Sequence, residues 1–213
     1  MMRILAWRVA PYDNGMYLLY DDRRDALLVD PSMGEGQALA AVRENGLRVV
    51  EIINTHGHPD HIFGNAAVKE ATRARLAIHR ADAYRLGPGR PPTTFEIPPC
   101  DPDDLFDEGP LRYVTDLELA ALHTPGHTEG STCFYLEREG VLFSGDVLFK
   151  GSTGRWDLPG GDREQMERSL ERVAALPPET KVYPGHGATT TIGRELATLR
   201  ELRKAGVLPG LRV

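Results

Sequence analysis

The chain has 213 residues, 41% hydrophobic and 26% charged, and its 25 Lys and Arg against 31 Asp and Glu give a net charge of −6. That size and balance suit one compact globular domain, and the acidic excess argues against a nucleic-acid partner, whose affinity draws on clustered Lys and Arg. No stretch approaches the roughly 18 uninterrupted apolar residues of a membrane span, no apolar secretory segment follows the first residues, and two cysteines, Cys100 and Cys133, cannot build a disulfide framework; the expectation is a soluble cytoplasmic protein with no membrane partner, its oligomeric state open.

In chain order, the apolar runs Ile4–Val9, Met16–Tyr20 and Ala26–Val29 read as an antiparallel meander with turns at Asp13-Asn14-Gly15 and Asp21-Asp22-Arg23. A helix over Gly34–Glu44 stops at Asn45-Gly46 and is followed by the β-branched strand Val49–Ile53. Next come a helix over Ile62–Arg73, a strand at Leu76–Ile78 and a short helix over Ala81–Leu86. The stretch Gly87–Pro110, with seven prolines and three glycines, has the composition of a linker. Beyond it strands are expected at Leu117–Leu122, Thr132–Leu136, Val141–Phe143 and Lys181–Tyr183, with helices at Arg163–Ala175 and Ile192–Lys204.

The chemistry concentrates at Thr55-His56-Gly57-His58-Pro59-Asp60-His61, directly after a β-branched strand. In extended chain, residues two apart point the same way, so His56 and His58 can approach one cation together while Gly57 leaves room between them. Pro59 disfavours helix at His58 and permits it afterwards, which can aim Asp60 and His61 at a neighbouring position. Imidazole and carboxylate suit zinc, and also iron or manganese. Three more apolar strands end in small-residue turns bearing a metal-capable side chain: Pro125-Gly126-His127, Ser144-Gly145-Asp146 and Pro184-Gly185-His186.

This set, His56, His58, Asp60, His61, His127, Asp146 and His186, resembles the metallo-β-lactamase superfamily in identity and order. The resemblance implies an α/β fold, a four-layer αββα sandwich over residues 1–213, with two divalent metal ions at one edge of its sheets. By matching motif positions, one ion would be held by His56, His58 and His127, the other by Asp60, His61 and His186, and Asp146 would bridge them. Such a site draws on both sides of Gly87–Pro110, which is then a loop near the site and not a linker. The tract Gly145–Asp157 is similar to that of glyoxalase II, the hydroxyacylglutathione hydrolases, where a cationic residue at the position of Arg155 contacts glutathione; Lys150 is a second, weaker candidate for holding a substrate carboxylate. Asp157 stands where the larger enzymes have a glutathione-contacting Tyr, and their C-terminal helical domain has no counterpart here. The chain therefore looks closest to the short, single-domain glyoxalase II-like hydrolases.

Two cations acidify a shared water and polarise a carbonyl, so a bridging hydroxide needs no Ser or Cys nucleophile. A thioester fits, because a thiol of pKa about 8.5 can depart as thiolate; Asp60 can also shuttle a proton. Two other readings stand beside this metal-dependent hydrolase of a small-molecule thioester: a persulfide dioxygenase of the same fold using one iron on His56, His58 and Asp146 or His127, and a non-catalytic metal-binding module. Of the remaining residues, Asp30 is expected as a helix-preceding turn residue ahead of a support for the ligands, His79 as a surface or packing histidine and His123 as a hydrogen-bond support for the site. Trp156 either walls the pocket or packs.

Overall fold

A strand that is apolar on both faces needs cover on both sides, and the strand Asn14–Tyr20 is buried at every position. The computed structural model, which describes residues 2–93, 95–111 and 117–213, supplies that cover. In chain order the elements are β1 (Arg3–Val9), β2 (Asn14–Tyr20), β3 (Asp25–Val29), α1 (Glu35–Glu44), β4 (Arg48–Asn54), α2 (Pro59–Ile62), α3 (Asn65–Thr72), β5 (Arg75–His79), a 3-10 helix over Arg80–Leu86, β6 (Asp104–Phe106), β7 (Gly109–Leu111), β8 (Leu119–His123), β9 (Thr132–Leu136), β10 (Val141–Gly145), β11 (Leu148–Phe149), β12 (Ser152–Thr153), α4 (Arg163–Ala174), β13 (Lys181–Pro184), β14 (Thr190–Thr191) and α5 (Ile192–Lys204). One sheet runs β1-β2-β3-β4-β5-β6 and the other β14-β13-β10-β9-β8-β7.

Strand periodicity divides the interior into three apolar layers. Met16, Leu18 and Tyr20 of β2 face Ala38 of α1 and Val68 of α3. Their neighbours Tyr17 and Leu19 face the opposite way, into the space between the sheets, where they join Phe134 and Phe143. The outer face of the second sheet, with Cys133, Tyr135 and Leu142, packs on Met166, Leu170 and Val173 of α4 and on Leu199 of α5. Helices, sheet, sheet, helices: the four-layer αββα order is the one the resemblance implied. Fully burying one such Leu or Phe contributes about 1.5–3 kcal/mol, and the helices supply that burial with an apolar stripe of i, i+4, i+7 spacing in α4. Asp162 caps α4 by accepting from the Gln165 N–H at 2.8 Å. Among the described residues no helix is long and apolar enough to cross a membrane, and both cysteines are free.

Two expectations are corrected, and five short strands are added. The helix read over Ile62–Arg73 is two, α2 and α3, separated at Phe63-Gly64; Asn65 opens α3 by exchanging amide hydrogen bonds with buried Asn54, at 3.2 and 2.7 Å. Asn14, read as a turn residue, is the first residue of β2. The short strands β6, β7, β11, β12 and β14, of two or three residues each, carry too little pattern to be read locally and exist because a neighbour offers them hydrogen bonds.

Candidate metal centre

Direction along the strands places the site. β3 and β4 are parallel, as are β10 and β13, and β8 runs with β10 because each is antiparallel to β9. The segments after β4, β8, β10 and β13 carry the His56–His61 run, His127, Asp146 and His186 respectively. The two sheets are stitched together there by Gly15 N–H to the Gly185 carbonyl at 2.7 Å. His58 is extended, with φ −73° and ψ 147°, and Pro59 then starts α2, which turns Asp60 and His61 toward the same centre.

All seven expected ligands converge. Ligand atoms of His56, His58 and His127 lie within 4.8 Å of one another, and so do those of Asp60, His61 and His186. Asp146 stands between the two groups, its Oδ2 3.3 Å from both His127 Nε2 and His186 Nε2 and its Oδ1 3.5 Å from His61 Nε2. Space at this edge is tight. Gly145 adopts φ +47°, and a Cβ there would lie 2.7 Å from the Thr55 side chain. Gly57 leaves room, but for the stem of Arg85: a Cβ on it would come within 2.6 Å of that side chain.

The histidines are oriented by what their outward nitrogens touch. His127 Nδ1 donates to the Arg155 carbonyl at 2.7 Å and His186 Nδ1 to the Tyr12 carbonyl at 2.8 Å. His61 Nδ1 donates to Asp30 Oδ2 at 2.9 Å. Thr55 Oγ1 spends its own proton on Asp30 Oδ2 at 2.6 Å, so it accepts from His56 Nδ1 at 3.0 Å. In each of these four rings Nε2 is therefore the nitrogen that faces the centre, as metal-binding histidines require. His58 faces it through Nδ1, 2.8 Å from His127 Nε2.

Two buried atoms, His56 Nε2 and Asp146 Oδ1, have no hydrogen-bond partner. Orphaned acceptors inside a closed set of nitrogens and carboxylates are what a divalent cation satisfies, so the residues present fit the group. Asp30, His56 and His61 also lie together. Asp30 is already taken up by Thr55 and His61, with its Oδ1 accepting the Thr55 N–H at 2.8 Å, so it supports the ligands instead of adding a third site.

Electrostatics separates the two groups. Burial, reinforced by the other imidazoles, holds His56 well below its ordinary value, and burial with the facing His127 pushes His58 down to about 3. At the second position burial is outweighed by Asp60 and Asp146, which raise His61 to about 9; hydrogen bonds to Asp146 and Asp60 raise His186 to about 11. Burial would lift both carboxyls, but His61 with the hydrogen bond from His186 brings Asp146 down to about 2 and, with Asn14 as well, holds Asp60 well below the carboxylate range.

The remaining candidates divide. Arg155 lines the open cleft above the centre together with Tyr12, Phe95, Phe149 and Leu158, a space of about 610 Å³. Its guanidinium is bound to Asp157 at 2.8 and 3.0 Å. Lys150 is exposed and lies outside that lining. Trp156 is partly buried against the α4–α5 core, away from the cleft. His79 packs as expected, stacked on His123 at 4.1 Å. His123 is corrected: its Nε2 meets the Glu129 carbonyl at 2.9 Å and touches no ligand. Asp30 is corrected from turn residue to support of two ligands.

Two residues escaped the sequence reading. Asn14 donates to Asp60 Oδ2 at 2.9 Å. Asp82, fully buried, accepts from Gly57 N–H, Thr128 Oγ1 and Gly130 N–H, each at 2.7 Å, and ties the His56–His58 segment to the His127 loop. Asp82 sits 25 positions from Gly57 and 46 from Thr128, on a short expected helix whose local pattern says nothing of the loops it joins.

Comparison with known proteins agrees with this geometry. The family model for the metallo-β-lactamase superfamily matches residues 12–186. A hydroxyacylglutathione hydrolase of Methylococcus capsulatus is 36% identical over 188 residues, covering 88% of this chain and 67% of that protein. A probable metallo-hydrolase of Bacillus subtilis, YqgX, is 34% identical over 200 residues, covering 88% of this chain and 93% of its own. The crystal structure of TTHA1623 in a di-iron-bound form superposes with a TM-score of 0.82 at 34% identity, covering 91% of this chain and 98% of that one. With the fold, the ligand geometry and the match over residues 12–186 in agreement, the chain belongs to the metallo-β-lactamase superfamily and is a metallo-hydrolase of that superfamily.

Proposed function

We propose that this protein hydrolyses a small-molecule thioester, with His56, His58 and His127 holding one divalent cation, Asp60, His61 and His186 holding a second, and Asp146 bridging them. The observation that carries the reading is the Asp146 carboxylate lying 3.3 Å from a histidine nitrogen of each group. When bound, two such cations supply an acidified water and a positive charge for the carbonyl oxygen. Zinc is the first choice on donor chemistry; the di-iron form of TTHA1623 supports iron as the other.

Thioester hydrolysis makes one C–O bond and breaks one C–S bond, and the sulfur leaves with the electron pair. A departing thiol of pKa about 8.5 needs little help from an acid. That suits a site in which Asp60 is held ionised and accepts from Asn14, and so serves as acceptor rather than donor of a proton. Arg155 binds a substrate carboxylate by exchanging Asp157 for it. The names of the M. capsulatus relative and of others at comparable identity support a hydroxyacylglutathione-like substrate. The acidic net charge supports a small molecule, not a nucleic acid, as partner.

Metal analysis beside a thioester panel tests this. The expected result is two divalent ions per chain and turnover, with Arg155→Ala raising KM about tenfold while metal content stays constant. An iron-loaded protein that consumes oxygen with a persulfide and leaves every thioester intact overturns it in favour of the dioxygenase reading.

A further inference from the structure

Beside the open cleft lies a second space of about 170 Å³, which shares His58, Pro59 and Leu158 with it and extends under the proline-rich segment to Ile97. Most of its described walls are apolar: Pro59, Pro91, Pro92, Ile97, Leu158 and Pro159. The Thr93 hydroxyl donates to the Phe95 carbonyl at 2.7 Å, and the Arg90 guanidinium to the Ile97 carbonyl at 3.1 Å. Arg85 is pinned to Glu129 at 2.6 Å and to the Pro159 carbonyl at 2.9 Å, and its Nε lies 3.3 Å from Asp82. A chamber walled mostly by proline and aliphatic side chains favours an apolar guest, because a polar one would lose its water for few partners. A cavity of about 150 Å³ holds a guest the size of benzene.

We propose that this chamber binds the acyl group of the substrate and makes the protein selective for unsubstituted apolar acyl thioesters with chains of about four to six carbons. The proposal rests on the thioester reading and, for the acyl part, replaces the hydroxyacyl group of the relatives' names with an unsubstituted one. The carbonyl sits over the metal centre, the thiol carrier runs through the open cleft past Arg155, and the acyl chain passes between His58 and Leu158 toward Ile97. A hydroxyl carried along that chain meets mostly proline and aliphatic carbon.

The test compares acetyl, butyryl, hexanoyl and 3-hydroxybutyryl esters of one thiol on the metal-loaded protein, alongside calorimetric titration with butyrate and acetate. Butyryl is expected to exceed both acetyl and 3-hydroxybutyryl by about tenfold or more in kcat/KM, and butyrate to bind about tenfold tighter than acetate. Thr93→Phe, which narrows the chamber, brings both ratios toward one. Ile97→Val, which removes one methyl and keeps the packing, shifts the optimum to a longer chain and serves if Thr93→Phe does not fold. Turnover that is flat across the acyl series, or unchanged ratios in both variants, overturns the chamber and leaves the hydrolase reading standing. Tighter butyrate binding, lost in Thr93→Phe, without turnover of any thioester keeps the chamber and overturns the hydrolase. Failure of both measurements overturns both.

Discussion

Asp30 shows how much one carboxylate can organise. It is 1% exposed, sits at φ +47° after β3, and through Thr55 and His61 fixes rings that belong to both ligand groups. Asp30→Asn keeps the volume but offers one acceptor oxygen instead of two, so metal affinity should fall about 10- to 100-fold. Competition with a chromogenic chelator reads the effect, and unaltered affinity would show that the ligands hold their orientation without it. The sequence reading of Asp30 as a turn residue followed from its local context, Val29-Asp30-Pro31, which contains no trace of Thr55 or His61.

At the scale of elements, the 3-10 helix after β5 reaches two ligand loops through Asp82. Asp82→Ala would leave the buried Gly57 and Gly130 N–H groups without their acceptor and take away the carboxylate beside Thr128 and Arg85, at a cost of about 3 kcal/mol or more. Urea unfolding should show that loss, and metal loading should weaken with it because the His56–His58 segment is no longer tied to His127. β4 carries the opposite kind of feature. Glu51 is buried, its Oε1 has no partner, and burial followed by Asp104 raises its carboxyl to about 8. The folded state holds this proton where the unfolded chain, with a pKa near about 4.3, has lost it. Stability from this group is thus complete below about pH 4 and is lost as pH rises toward 8. Glu51→Gln should flatten that decline, raising the urea midpoint at pH 8 more than at pH 5.

For the whole molecule, metal and proton compete. The Asp60 and Asp146 carboxylates raise His61 and His186, to about 9 and about 11, and so favour a proton on the pair. Loading must displace any proton held there, so protons should be released on loading at pH 7, and affinity should fall as pH is lowered. Calorimetry in buffers of different ionisation enthalpy counts them. A metal at 100 times its dissociation constant should also stabilise the fold by about 2.7 kcal/mol, which thermal unfolding with and without chelator measures.

The amino-acid sequence by itself determined the main strands and the strand-end turns that carry metal-capable side chains, because each is written in local pattern, and the layer order followed from the family resemblance those motifs carry. Period-2 apolar runs make strands, a His-x-His spacing on extended chain shares a face, and Pro59 permits a helix only after it. Tertiary structure decided what no local pattern encodes. Asp30, Asn14 and Asp82 act on residues 25 to 48 positions away, and the proline-rich segment becomes the roof of a chamber only when folded over His58. Hydrogen bonds between distant loops depend on where strand ends meet, and that is fixed by sheet pairing rather than by neighbours in the chain.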